Sequence, residues 1–364
     1  MNIIFDNIIF AIQRSGGGSV YWYELISRFA RTHQNIFFLE QGKTSNIFRK
    51  SLKLESCELD RAFPLRINMY LPVYRTVNKK TIFHSSYYRF SLSKNIVNVT
   101  TIHDFTAEYY FKGLSRFVNY HQKRIALKNS HGIICISENT KRDLLKFHPK
   151  LKNKEIKVIY NGVSDSFYKI ENLEEEILKL DDLGIKECLK TKYILYVGHR
   201  TTYKNFDLAV KTLAEFNGQL HFVIVGEKLK SEEQKFINNY LSDSQYTVLS
   251  GKNNEQLNLL YNNAFCLIYP SSYEGFGIPI LEAMKTGCPV ITTNKSSIPE
   301  VAGDAAIMVN DLSVKAFGTA INSLFDLGIR NTYINKGYKQ AEKFSWDKTF
   351  NEVVQFYQSL YDKG

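Results

Sequence analysis

Short apolar runs alternate with loop-led amphipathic segments along this chain, and the alternation starts afresh near its middle. In the first half Ile3–Ile12, Asn35–Leu39, Lys80–His84, Val97–Ile102, Gly132–Ile136 and Lys157–Tyr160 read as strands. Helix-like stretches separate them. Tyr21–Phe29 carries Tyr21, Leu25, Ile26 and Phe29 on one stripe, and Glu138–Lys146 follows the candidate N-cap Ser137. A turn at Asn161-Gly162 and an acidic, helix-prone connection over Leu173–Leu183 come next. The pattern then resumes with strands at Tyr193–Val197, His221–Val225, Tyr246–Leu249, Cys266–Tyr269, Pro289–Thr293 and Ala306–Val309. Helices are expected between them at Phe206–Phe216, Glu232–Leu241 and Glu255–Asn262. Repeated strand–loop–helix units imply parallel sheets covered by helices. The expectation is an α/β chain of two Rossmann-like domains, residues 1–160 and 161–345, with their loop-bearing strand ends across a cleft. A final helix, Trp346–Tyr361, is rich in aromatics and is expected to pack on one of the domains.

The stretch Tyr269-Pro-Ser-Ser-Tyr-Glu-Gly-Phe-Gly-Ile-Pro-Ile-Leu-Glu-Ala-Met284 says most about chemistry. A buried strand runs into a Gly-Phe-Gly bend, Pro279 suits a first helical turn, and Gly287 suits a helix end. The bend therefore opens a helix N-terminus, whose partial positive charge attracts phosphate or a sugar oxygen. Seven residues separate Glu274 from Glu282. Glu274 falls in the loop and Glu282 inside the first helical turns, so the pair is placed to grip two ends of one hydroxyl-rich ligand. Either residue alone reads more simply as a solvated acid or a helix-dipole partner. Strand, bend and spacing together favour the ligand.

Three other loops follow predicted strands. Arg14-Ser-Gly-Gly-Gly-Ser19 opens a helix and lets phosphate or another domain approach closely, or is a plain turn; it lacks a dinucleotide fingerprint. His103-Asp104 ends an apolar strand, where His103 suits a bond to a sugar hydroxyl or a proton transfer, or a structural role. In Gly198-His-Arg-Thr-Thr-Tyr-Lys-Asn205, Arg200 and Lys204 suit neutralisation of a diphosphate, against a bland reading as solvated cations. The segment Glu108–Lys128 mixes Tyr109, Tyr110, Phe111, Phe117 and Tyr120 with Lys112, Arg116, Lys123 and Arg124. It fits a membrane interface, or core aromatics with snorkelling cations.

Charge is uneven. Residues 1–160 hold 26 Lys and Arg against 11 Asp and Glu, which suggests that this half meets something anionic, against a bland reading as a basic, solvated surface. No nucleic-acid motif accompanies the basic residues, and an anionic membrane or a phosphorylated acceptor fits at least as well. The five cysteines (Cys57, Cys135, Cys188, Cys266, Cys288) form neither a Cys-x-x-Cys pair nor a Cys/His cluster. A reducing compartment, the cytoplasm, and a site without metal are expected. Asp6 and Asn7 interrupt the first apolar run, which is read as a strand and not a signal peptide.

With these elements in order, the chain resembles the retaining glycosyltransferases of family 4, which have the GT-B fold. The likeness rests on Gly16-Gly17-Gly18, Thr101-Ile-His-Asp104, Ile136-Ser-Glu-Asn-Thr-Lys141, Asn161-Gly162-Val163, Gly198–Asn205 and Tyr273–Gly287, the last carrying the family's Glu-x7-Glu signature. The resemblance implies that Glu282 holds the donor ribose, while Glu274 with Gly275, Phe276, Gly277 and Ile278 holds the donor sugar. It further implies that Arg200 and Lys204 hold the diphosphate, that His103 contacts the sugar near the acceptor, and that Ser250, Gly251 and Lys252 lie beside the base. The same resemblance implies that Gly17 and Gly18 border the ligand, but Ser19-Val20 stands where the family often has a Gly-Arg pair. The final helix, 346–364, would cross back to the first domain.

The resulting expectation is hexose transfer from a nucleoside diphosphate sugar, GDP-mannose foremost. The acceptor would be a glycan or lipid-linked glycan in bacterial surface polysaccharide synthesis, with no other cofactor. The enzyme would work in the cytoplasm or on the inner face of the membrane. A sugar-nucleotide epimerase of the same architecture, or a silent sugar-nucleotide binder, are the competing readings. Turnover without an acceptor marks the first, and an absence of turnover the second.

Overall fold

The computed structural model describes residues 1–60, 63–178 and 183–363. Two compact units share the chain: Met1–Gly162 together with the segment from Trp346 onward, and Val163–Ser345.

The first unit is built on β1 (Asn2–Asp6), β2 (Ile36–Glu40), β3 (Cys57–Leu59), β4 (Thr81–Ser85), β5 (Ile96–Ile102), β6 (Gly132–Cys135) and β7 (Glu155–Val158). They form one parallel sheet in the order β3-β2-β1-β4-β5-β6-β7. Strands β4 and β5 are buried along their whole length, as expected where helices cover both faces. Their polar side chains are accordingly paired. The Asn98 amide donates to the Ser91 carbonyl at 2.9 Å, and His84 lies between the Thr101 and Tyr357 hydroxyls.

The second unit is built on β8 (Tyr193–Val197), β9 (His221–Val225), β10 (Tyr246–Leu249), β11 (Cys266–Tyr269), β12 (Val290–Thr293) and β13 (Ile307–Val309). Its sheet is also parallel, ordered β10-β9-β8-β11-β12-β13. Ile194, Tyr196, Phe222, Ile224 and Ile268 pack with Phe206, Val210 and Leu213 of the helix Phe206–Ala214 and with Phe317 and Ile321 of Val314–Ser323. In each sheet the chain moves outward on one side, then returns to the other side of its first strand. That reversal leaves a crevice between β1 and β4, and between β8 and β11, where ligands bind sheets of this kind.

Several boundaries differ from the sequence reading for local reasons. The first strand stops at Asp6 instead of Ile12, and Ile9–Ile12 is a helical turn. Asp6 turns inward to Arg89 (3.1 Å) and Ser85 (2.8 Å), and Asn7 bridges the Trp22 indole and Glu40. The following helix spans Gly17–Thr32, longer than its apolar stripe, because Gly16 adopts φ +148° and lets the turn begin before the first apolar residue. Strand β3 escaped notice because its three residues are exposed and unpatterned. Glu108–Lys128 is two helices, Thr106–Tyr110 and Gly113–Asn129, broken at Phe111-Lys112. Of the expected connection, Leu173–Leu178 is helical, and residues 179–182 lie outside the described residues.

The final helix, Trp346–Asp362, seats Val353, Tyr357 and Leu360 in the first unit. Phe356 and Leu360 close over Gly132 of β6 so tightly that a Cβ there would stand 2.9 Å from the Phe356 ring. Gly132→Ala is therefore expected to cost about 1–3 kcal/mol through overpacking, read as a lower midpoint in urea unfolding. An unchanged midpoint would show that the helix is not seated as described.

Candidate active site

Three loops leave the carboxyl ends of β8, β10 and β11, and the parallel sheet puts all of them on one edge. The β8 loop turns at Gly198 and passes through a short helical turn at Thr202–Lys204. It then enters the helix Phe206–Ala214 through Asn205, which takes a left-handed conformation (φ 49°). Asn205 ties this loop to its neighbour: its amide donates to the Pro270 carbonyl at 2.8 Å and to Ser272 Oγ at 2.7 Å. The Ser272 amide returns a bond to the Tyr203 carbonyl at 2.7 Å. The two loops flanking the β8/β11 crevice are thus fastened to each other by backbone and side chain.

Lys204 and Glu274 meet above that crevice. Lys204 Nζ stands 2.5 Å from Glu274 Oε1 and 3.3 Å from the Tyr269 hydroxyl, with both charged side chains largely buried. Burial, and next the Glu274 charge, push the Tyr269 phenol well above its ordinary pKa, so it stays neutral. The Glu274 backbone is held from behind. Its N–H donates to Ser296 Oγ at 3.1 Å, and its carbonyl accepts from Ser297 Oγ at 2.9 Å. Ser297 also donates to the Phe276 carbonyl at 3.0 Å. Two adjacent hydroxyls therefore shape the Glu274-Gly-Phe-Gly277 bend.

The bend ends at Gly277, whose φ of +107° disfavours any other residue, and the helix Ile278–Thr286 starts there with Pro279 in its first turn. Gly275 and Ile278 are half-buried. Phe276 is buried and packs edge-on against Phe344, with centroids 5.8 Å apart. Glu282 lies one turn into the helix, half-buried, with Oε2 accepting from the Tyr261 hydroxyl at 2.9 Å. Burial raises its carboxyl to about 7, against a smaller lowering by Tyr261. Near neutral pH it is thus poised between an acceptor and a donor of hydrogen bonds. Ser250, Gly251 and Lys252 form the loop after β10, two strands away on the same edge.

Arg200 departs from the simple picture of a solvated loop cation. Its Nε and Nη2 form a forked pair with Glu233 at 3.0 and 3.1 Å, and Nη2 also donates to the Lys228 carbonyl at 3.0 Å. The side chain is only 4% exposed, and its Nη1 has no hydrogen-bond partner among the described residues. Glu233 is the third residue of the helix Ser231–Asn238 and also accepts from the Lys230 amide at 2.8 Å, so a fixed element anchors the guanidinium.

In the first unit, Gly17 and Gly18 begin the helix after β1, and a Cβ on Gly17 would meet nothing within 4 Å. His103 follows β5 and sits edge-on to Tyr21, with centroids 5.1 Å apart, while the Tyr21 hydroxyl pairs with Thr101 Oγ1 at 3.2 Å. Burial chiefly lowers His103 to about 4; Asp104 opposes this and Lys123 adds to it. His103 is neutral at pH 7, which suits a hydrogen bond to a hydroxyl better than proton delivery.

As site residues, Tyr261, Tyr269, Glu233 and Ser297 went unremarked in the sequence, where Tyr269 figures only as a strand end. The tyrosines were hidden among core apolar residues. The serines did carry a signal, since Ser296-Ser297 directly precedes Ile298-Pro299, a helix start.

Residues 15–167 match the family model described as Glycosyltransferase Family 4, and residues 184–340 that described as Glycosyl transferases group 1. Over 254 residues the chain is 27% identical to O-antigen chain mannosyltransferase RfbU of Salmonella typhimurium, covering 69% of this chain and 66% of that one. A 107-residue stretch is 42% identical to O-antigen chain mannosyltransferase B of Escherichia coli, covering 29% of this chain and 28% of that one. Each of these matches spans less than two thirds of the relative's own length. The fold is shared with Anabaena HepE, solved in complex with UDP-glucose: the TM-score is 0.74 at 15% identity, covering 99% of this chain and 100% of that one.

The state of Glu282 has a measurable consequence. A carboxyl that holds its proton more tightly folded than unfolded stabilises the fold in acid, and that contribution is lost as pH rises through about 7. Without ligand, the protein should therefore lose stability relative to Glu282→Gln as pH rises from 4.5 to 7. Urea unfolding of both at several pH values reads this directly, and a constant difference would mean that burial does not perturb the carboxyl.

Proposed function

Because the chain belongs to the family 4 glycosyltransferases of the GT-B fold, we propose that it moves a hexose from a nucleoside diphosphate sugar to a hydroxyl of a glycan or lipid-linked glycan, with retention of anomeric configuration. The observation that carries this reading is the Lys204–Glu274 pair above the β8/β11 crevice, backed by the helix N-terminus at Gly277. A cation, a carboxylate and a positive helix end within two fastened loops match a ligand that is anionic at one end and hydroxylated at the other.

In this reading Lys204 neutralises the diphosphate as the bond between the sugar C1 and the phosphate oxygen breaks, and the helix end adds to that stabilisation. Arg200, tethered by Glu233, contributes charge from the same loop. Glu274 leaves Lys204 to accept hydrogen bonds from sugar hydroxyls and to steady positive charge on the ring. Glu282 takes the ribose hydroxyls, and Ser250–Lys252 lies towards the base. The acceptor oxygen bonds to C1 on the face that the diphosphate leaves, and its proton passes to the departing phosphate. Within the first unit His103, neutral, suits a hydrogen bond to a sugar hydroxyl, and the basic character of that unit suits a lipid-linked acceptor at the inner face of a membrane.

The names of the similar O-antigen mannosyltransferases favour mannose as the transferred sugar and surface polysaccharide as the product class, the HepE complex supports a nucleotide-sugar donor in general, and GDP-mannose is the donor proposed first. A thermal-shift screen of GDP-, UDP- and ADP-sugars should give its largest shift with GDP-mannose. Lys204→Ala should lower kcat/KM by about a hundredfold or more, as expected for a lost electrostatic contact to the leaving group, and Glu282→Ala should abolish most of the donor-induced shift. Unchanged donor binding and turnover in both variants would remove the two residues from the site.

A further inference from the structure

The helix Gly113–Asn129 presents two unlike faces. Gln122, Lys123, Ala126 and Leu127 are buried on one side, where Lys123 forms a buried pair with Glu108 at 2.7 Å. The opposite side should be polar in a helix lying on a soluble surface. Instead Leu114, Phe117 and Ile125, at positions i, i+3 and i+11, share the solvent side and are 76%, 60% and 49% exposed. His121, at i+7, continues this stripe, its ring tilted 48° against that of Phe117 with centroids 4.1 Å apart. Phe111 precedes it, and residues 111–117 are all exposed.

The charges around the stripe have one sign. Between Glu108 and Glu138 the chain has no acidic residue, whereas Lys112, Arg116, Arg124 and Lys128 are all exposed there. A contiguous apolar strip rimmed by cations matches an interface that is apolar inside and anionic at its edge. Two copies of this face would oppose cation to cation, which disfavours self-association.

We infer that the solvent side of the helix Gly113–Asn129, led by Phe111, Leu114, Phe117 and Ile125, docks on an anionic lipid bilayer. The apolar residues enter the headgroup boundary and Lys112, Arg116, Arg124 and Lys128 lie among lipid phosphates. The inference gives the proposed lipid-linked transfer a definite docking surface, and it is read without turnover, so its failure leaves the transferase assignment standing.

The test is co-sedimentation of the full chain with vesicles of phosphatidylethanolamine and phosphatidylglycerol, and with phosphatidylcholine alone. Binding is expected to the anionic vesicles at low salt and to fall steeply at high salt. Leu114→Ser with Phe117→Ser should weaken the partition at least tenfold, and each of Arg116→Gln and Arg124→Gln about fivefold. Circular dichroism and the nucleotide-sugar thermal shift should stay unchanged in these variants. Equal sedimentation of wild type and the Leu114/Phe117 variant, or no binding to anionic vesicles at low salt, would overturn the proposal. So would a concentration-dependent dimer that this variant dissolves while vesicles remain unbound, because a second copy would then cover the stripe.

Discussion

The ion pair between Lys204 and Glu274 is the contact on which the chemistry proposed for the second unit turns. Their loops leave strands that are neighbours in space but separated by two strand–helix units in sequence. Only the reversal of strand order between β8 and β11 brings them together. Removing one partner of a largely buried pair leaves the other charge without compensation, commonly at a cost of about 3–5 kcal/mol. The same logic explains why the pair suits a ligand. In the proposed function a diphosphate replaces Glu274 at Lys204 and sugar hydroxyls replace Lys204 at Glu274, so neither charge is left unmatched.

Around that pair the backbone is set before any ligand arrives. Asn205 and Ser272 bind one loop to the other, and Ser296 and Ser297 hold the Glu274 bend from behind. Gly277 lets the chain turn sharply enough to begin a helix at once. Preorganisation of this sort lets a site stabilise developing charge without reorganising when the reaction occurs. Arg200 illustrates the same economy of motion: Glu233 fixes its guanidinium from a neighbouring helix, leaving Nη1 as the nitrogen without a hydrogen bond among the described residues. In the first unit the buried His84–Thr101–Tyr21 chain of contacts supports the strand end from which His103 projects.

Much of this was legible in the sequence because parallel strands buried on both faces read as continuous apolar runs, as Cys266–Tyr269 does. The Glu274–Glu282 element was legible because bend, Pro279 and Gly287 each punctuate the chain at a defined place. What stayed hidden depended on contacts between distant residues. The early stop of β1 follows from Asp6 finding Arg89, which no local pattern announces. The seat of Arg200 on Glu233 likewise needed the fold, since the loop alone gave two solvated cations or two phosphate ligands. The segment Glu108–Lys128 left two readings open, and the structure divides them by residue: Lys123 is a buried ion-pair member, whereas Leu114 and Phe117 face water.

In the proposed function a nucleoside diphosphate sugar is held by the loops after β8 and β11. A crystal structure of the protein with GDP-mannose, or with whichever nucleotide sugar gives the largest thermal shift, examines that claim most directly. The diphosphate is expected within hydrogen-bond distance of Lys204 Nζ, the ribose at Glu282, and the Glu274 carboxylate turned from Lys204 to the sugar. A nucleotide sugar lodged elsewhere, with Lys204 and Glu274 still joined, would contradict it.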